Sequence, residues 1–349
     1  MGTLKFAGLR KLQHGDKVAI LSPSYAAPGR WPHIYELGIK RLWEDFGLEG
    51  VAYPTTFKLG ASKQERSADL IAAFENPEIK GIIATLGGDD QVTYVKHLPD
   101  APFRDNPKPY FGYSDNTHLM NHLWLNGVPS YYGGALFTEF ARTPRMDEFT
   151  VGYLKKALFE GGEAELSASD TFNDVGVGWD SPNNLTQEKF YEPSEGWQWD
   201  EKGGLFEGFT WGGCLESIDE ILRHGGRLPT LQQFEEVILI TETSEEIPAH
   251  EYVRRVYRAL GERGILGRIQ GLLVGRPKAW EFGREHSPDE KTRYREEQRQ
   301  TILAIVREYN DSIPVVQNMD FGHTNPQICL PHGFRARIDG DKRKVKVVF

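Results

Sequence analysis

The densest chemistry in the 349-residue chain lies at Phe111-Gly112-Tyr113-Ser114-Asp115-Asn116, where an apolar run gives way to a helical pattern. A serine in such a tight turn holds its hydroxyl above a sheet, and the amides that open the next helix point at whatever charge develops there. That is the arrangement of a nucleophile elbow. Ser114 or Asp115 is equally suited to capping the helix that starts near Asn116, an ordinary role for both residue types. Asn116 also stands where the elbow of α/β-hydrolases has glycine, so that superfamily is a poor match.

A nucleophilic serine requires a base and a group that orients the base. Of the ten histidines, His323 has the most suggestive setting, in Asn318-Met319-Asp320-Phe321-Gly322-His323-Thr324 just past an apolar run. Glu242 closes a second such run, Val237-Ile238-Leu239-Ile240-Thr241, with Glu245 and Glu246 close behind it. Sites in open α/β sheets collect at the carboxyl ends of strands, so Ser114, Glu242 and His323 are expected to converge across a domain interface. Thr85-Leu86-Gly87-Gly88-Asp89-Asp90 adds two glycines after a buried run, which let backbone amides approach a ligand closely. Taken alone this stretch fits a plain strand-to-helix turn, and it is also similar to the phosphate-binding turn of NAD kinases and phosphofructokinases. His118 and His122 share a helical face at the four-residue spacing zinc ligands can have. The intervening Leu119-Met120-Asn121 lacks the glutamate of a metalloprotease helix, so no metal is expected.

The elements that must position these residues read as alternating strands and helices. Strands are expected at 17–21, 50–53, 81–85 and 110–113, with helices at 32–46, 63–75, 90–97 and 116–126. A second alternation places strands at 236–240, 269–274 and 314–317 and helices at 248–261 and 289–309. Strands 334–338 and 344–348, joined through Asp339-Gly340-Asp341, read as a closing hairpin. Strand, helix, strand in sequence means parallel sheets covered by helices, an α/β class with two units. Residues 167–204 have little periodicity and carry Trp179, Trp197 and Trp199. A stretch that long is a functional loop or a linker, and three large rings that need somewhere to pack favour the loop. The expected organisation is an N-terminal domain over 1–166, a tryptophan-rich connection over 167–204 and a C-terminal domain over 205–349.

Composition narrows the function classes. With 41 basic and 50 acidic residues the formal charge is −9, which argues against a surface built for nucleic acid or an anionic membrane. A hydrophobic fraction of 39% suffices for a packed core. Cys214 and Cys329 make neither a disulfide framework nor a ligand cluster. The first residues lack the apolar stretch of an export signal, so a cytoplasmic protein is expected. No repeat at periods of about 20 to 50 residues is present, and no solenoid or propeller is expected. The charged run 284–299 mixes both signs and reads as a solvated helix face.

Three ordered motifs, GYSDNTHL (112–119), ETSEE (242–246) and DFGHT (320–324), resemble those of the serine peptidase family that includes LD-carboxypeptidases and the microcin C immunity proteins. The likeness runs from Ser22-Pro23-Ser24 to the GHTNP segment. It implies Ser114 as nucleophile, Glu242 as acid and His323 as base, with the amides of Gly88 and Asp115 as the oxyanion hole. It also implies a flavodoxin-like parallel-sheet N-terminal domain, a smaller swivelling α/β C-terminal domain, a homodimer, and no metal or organic cofactor. Asp89 and Asp90 stand where the carboxypeptidases show an aromatic-glycine pair, and the Trp-bearing loop resembles that of the immunity branch, where a tryptophan stacks on the substrate's adenine. Trp179, then Trp197, together with Asp89, are the expected substrate contacts. One departure is Gly212-Gly213-Cys214-Leu215, where the family commonly has asparagine in place of Cys214. The implied reaction is hydrolysis of the carboxamide that joins an aminoacyl or peptidyl group to a nucleotide. Release of terminal D-alanine from a muropeptide is the alternative within the same chemistry, and a non-catalytic two-lobed binding protein is the alternative outside it.

Overall fold

The computed structural model describes residues 4–200 and 202–349. Its strands are β1 (Lys17–Leu21), β2 (Glu49–Ala52), β3 (Ile79–Ala84), β4 (Tyr110–Gly112) and β5 (Ser130–Tyr132), then β6 (Glu163–Glu165), β7 (Thr171–Phe172), β8 (Glu192–Pro193) and β9 (Gln198–Trp199). The remainder are β10 (Leu205–Cys214), β11 (Val237–Glu242), β12 (Gly271–Gly275), β13 (Val315–Met319), β14 (Leu330–His332), β15 (Arg335–Asp339) and β16 (Lys344–Val348).

The first sheet has the order β2-β1-β3-β4-β5-β14. Its first five strands are parallel, in the order of flavodoxin-like doubly wound sheets. The second sheet runs β6-β16-β15-β10-β11-β12-β13-β9, with β10 to β13 parallel and antiparallel strands on both flanks. The expected α/β class is therefore present twice. The sheets also trade edges: β14, from late in the chain, pairs with β5, and β6, from the first half, pairs with β16.

Alternation along β11 joins the layers. Ile238 and Ile240 face the core shared with the first sheet, whereas Val237 and Leu239 face the helices His250–Glu262 and Pro288–Tyr309. Several helix starts are fixed by reciprocal capping, as at Ser62 with Glu65 and Ser287 with Glu290. One expected element differs. Residues 90–97 form two short 3-10 turns, Gln91–Thr93 and Val95–His97, because the buried Tyr94 between them takes φ −137°, outside the helical range, with its hydroxyl donating to the Pro23 carbonyl at 2.6 Å.

Candidate active site

Ser114 follows β4 with φ 62°, a left-handed conformation that costs a non-glycine residue energy and that neighbouring contacts must enforce. Those contacts are present. The Ser114 amide donates to the Tyr132 hydroxyl at 3.2 Å, and Asn116 is buried with its side-chain amide donating to the Tyr113 carbonyl at 2.8 Å. The helix that follows, Thr117–Leu125, makes no side-chain cap at its start, so the capping role open to Ser114 and Asp115 is not used. Asp115 instead ties the elbow to the diglycine loop, accepting from the Asp90 and Gln91 amides at 3.1 and 3.0 Å. That loop needs its glycines: a β-carbon on Gly87 would lie 2.9 Å from Ser114 Cβ, and one on Gly88, at φ 153°, would lie 2.2 Å from Ser24 Oγ.

His323 sits past the end of β13, buried against the Tyr113 ring at 5.0 Å between centroids. Its Nδ1 meets Glu242 Oε2 at 2.6 Å, and the preceding Gly322 is required because a β-carbon there would strike the same carboxylate. Tyr132 donates to the other Glu242 oxygen at 2.5 Å, so one phenol links the acid to the backbone of Ser114. His323 Nε2 is 3.0 Å from Glu245 Oε2. Burial alone would lower the His323 pKa, but Glu242 and Glu245 together raise it to about 10, and His323 in turn helps hold Glu245 ionised. Ser114 and His323 line one cleft of about 600 Å³ together with Gly88, Trp179, Glu245 and Lys278. Part of its lining is aromatic: the Trp179 ring packs edge-on to Trp31 at 4.9 Å and to Phe137 at 5.3 Å. A serine on a strained turn and a histidine oriented by a buried carboxylate, facing a common cavity, can together perform acyl transfer.

Residues 18–133 match the LD-carboxypeptidase N-terminal domain, and residues 207–338 match the LD-carboxypeptidase C-terminal domain. The chain belongs to the LD-carboxypeptidase family of serine peptidases. A family member from Treponema pallidum that carries a carboxypeptidase name is 27% identical over 344 residues, 96% of this chain and 93% of that protein. The microcin C7 self-immunity protein MccF of Escherichia coli is 23% identical over 297 residues, 84% of this chain and 80% of that protein. Among solved structures, an MccF-like protein from Streptococcus pneumoniae in complex with AMP superposes with a TM-score of 0.80 at 28% identity, covering 95% of this chain and 98% of that one. MccF in complex with glutamyl sulfamoyl guanosine gives 0.83 at 22% identity, covering 98% of both chains, a likeness of fold.

Within this LD-carboxypeptidase fold the sequence-predicted residues are distributed unevenly. Ser114, His323, Gly88 and Trp179 line the cleft, Glu242 lies directly beneath His323, and Asp115 is buried beside Ser114. Trp197 and Asp89 are not brought there among the described residues: Trp197 donates its indole N–H to Asp320 at 2.8 Å and packs on the core, and Asp89 is exposed on its loop. Cys214 is buried opposite Glu242 in the β10–β11 register. His118 meets Glu220 at 3.0 Å and Asp115 at 3.6 Å, three residues whose ligand atoms lie within 4.8 Å of one another. Tyr132 escaped the sequence reading because it occupies a three-residue strand with no periodic signal. Glu245 was visible only as one acid among three.

Proposed function

We propose that this family member is a serine amidase that cleaves the carboxamide linking an aminoacyl or peptidyl group to a nucleotide. Ser114, His323 and Glu242 act as nucleophile, base and orienting acid. The His323 imidazolium first gives its Nε2 proton to water; the neutral ring then takes the Ser114 proton as Oγ bonds to the carbonyl carbon, and the tetrahedral oxygen lies against the amides of Gly88 and Asp115. The C–N bond then breaks, His323 delivers the proton to the leaving nitrogen, and a water activated by the same ring hydrolyses the acyl-enzyme. The observation that carries the choice of substrate is the aromatic cluster of Trp31, Phe137 and Trp179, which lines the same cleft as Ser114 and suits a base. The complexes of MccF and of its S. pneumoniae relative with nucleotide-type ligands support the same reading. A product assay tests it by comparing an aminoacyl sulfamoyl-adenosine with a tetrapeptide muropeptide ending in D-alanine. Preferred cleavage of the first is expected, and preferred release of D-alanine overturns the substrate assignment while leaving the chemistry.

The same reading includes the division at 1–166, 167–204 and 205–349, a homodimer and a cytosolic location. In support of the last, both cysteines are free and buried, and no helix among the described residues is long and apolar enough to cross a membrane.

A further inference from the structure

His323 has two ring nitrogens, and Glu242 holds Nδ1. Only Nε2 can serve Ser114, yet Nε2 is 3.0 Å from Glu245 Oε2, and Ser114 Oγ has no hydrogen-bond partner among the described residues. A base must come within roughly 2.6–3.2 Å of the hydroxyl it deprotonates, so the serine oxygen and the Glu245 carboxylate contend for one position. The two acids differ in freedom. The Glu242 side chain is fully buried at the end of β11, whereas that of Glu245 is 59% exposed on the loop that follows and can swing away. During attack Ser114 Oγ meets the scissile carbonyl carbon. A carboxylate that can occupy the place of that oxygen is therefore within reach of substituents on the next carbon of the acyl group.

We propose that Glu245 is the receptor for a positively charged group on the carbon next to the scissile carbonyl, and that pairing with this group returns His323 Nε2 to Ser114. The inference rests on the assignment of Ser114 and His323 made above and narrows its substrate to one with a free α-ammonium, aminoacyl rather than peptidyl. The groups that face His323 agree with this. Glu242 from β11, Glu245 from the loop after it and Glu139 from the turn Leu136–Phe140 are acidic, and Tyr113 and Tyr132 are phenols. Lys278, after β12, is the cation that faces Glu245, and it gives that carboxylate a second resting partner once the imidazole is released. A neutral acylated nitrogen offers Glu245 no charge to pair with, so its carboxylate stays on the ring.

Two measurements on the full chain test this. Alanyl sulfamoyl-adenosine and its N-acetyl form are compared as substrates of the wild type and of Glu245→Gln. The wild type is expected to favour the free amine by roughly tenfold or more in kcat/KM, and the variant is expected to lose that preference while still cleaving the N-acetyl compound. An equal ratio in the two proteins overturns recognition by Glu245. Separately, a fluorophosphonate labels Ser114 without any natural substrate, and its rate is followed against pH. In Glu245→Gln the rise in rate is expected about one pH unit or more below that of the wild type, because one of the two carboxylates that keep the imidazole protonated is gone. An unmoved midpoint overturns the hold on His323. If labelling shifts but neither adenosine compound is cleaved, the nucleotide substrate and the ammonium receptor fall together while the contact between Glu245 and His323 stands.

Discussion

His323 and His332 are nine residues apart and both buried, and their surroundings drive them in opposite directions. His323 lies beyond the carboxyl end of β13 between two carboxylates and is raised to about 10. His332 lies within β14, where the two sheets meet. Its Nε2 accepts from the Gly212 amide at 3.3 Å, its Nδ1 is 3.2 Å from Ser130 Oγ, and burial pushes it down to about 3. Both rings have lost water, so burial alone does not decide protonation. What decides it is whether the replacement partners are charged acceptors or neutral groups. The strand end holds a proton, and the sheet junction refuses one.

Replacing each ring separates the two regions most sharply. His323→Ala is expected to lower kcat by about 10⁴-fold or more, since a triad acts as a unit, and also to lower the melting temperature, because the buried Glu242 carboxylate loses its cation. Ser114→Ala should match the loss of kcat, and turnover at the wild-type rate by either variant would remove the proposed chemistry. His332→Ala is expected to spare catalysis. Loss of the ring strands the Gly212 amide and leaves a void, costing about 2–4 kcal/mol in denaturant unfolding with activity per folded molecule retained.

The pH dependence of stability sharpens the same contrast. The folded-state pKa of His332 lies below the value of about 6.5 for an unfolded chain, so its contribution is complete above that pH and is lost as pH falls toward 3, because the unfolded state takes up the proton first. The limiting slope is about 1.4 kcal/mol per pH unit, and His332→Gln should flatten it. His323 has the opposite sign. Its ion pairs contribute fully below about 6.5 and are lost as pH rises toward 10, so Glu245→Gln should flatten the alkaline side of the same unfolding series. The smallest effect is expected away from both rings. Trp179→Ala should raise KM for an aminoacyl sulfamoyl-adenosine by roughly 10- to 100-fold, about 1–3 kcal/mol of stacking, with kcat little changed.

Much of the fold is legible in the sequence where periodicity is clear. The strands Lys17–Leu21 and Lys344–Val348 and the helix Lys63–Glu75 fall where alternation and the 3.6-residue period put them. β10 is hidden because LFEGFTWGGC reads as a glycine-rich loop. Its glycines are there because a β-carbon at Gly212 would meet the Ile240 carbonyl and one at Gly213 would meet Thr117 and Tyr132. Residues 90–97 misread as a helix because the partner that holds Tyr94 at the break, the Pro23 carbonyl, is distant in sequence. The rule that sites gather at strand ends brings Ser114, Glu242 and His323 to one place. It says nothing of Tyr132, whose partners come from two separate stretches of chain. The three tryptophans of 167–204 also look alike in sequence, but they separate in space. Trp179 enters the cleft, while Trp197 and Trp199 fasten the connection to Asp320 and β13.

The loan of β14 to the first sheet and of β6 to the second makes the two halves poor candidates for separate life. Scission near residue 166 or 204 would strip each piece of a border strand supplied by the other and leave raw hydrogen-bonding edges, an invitation to aggregate.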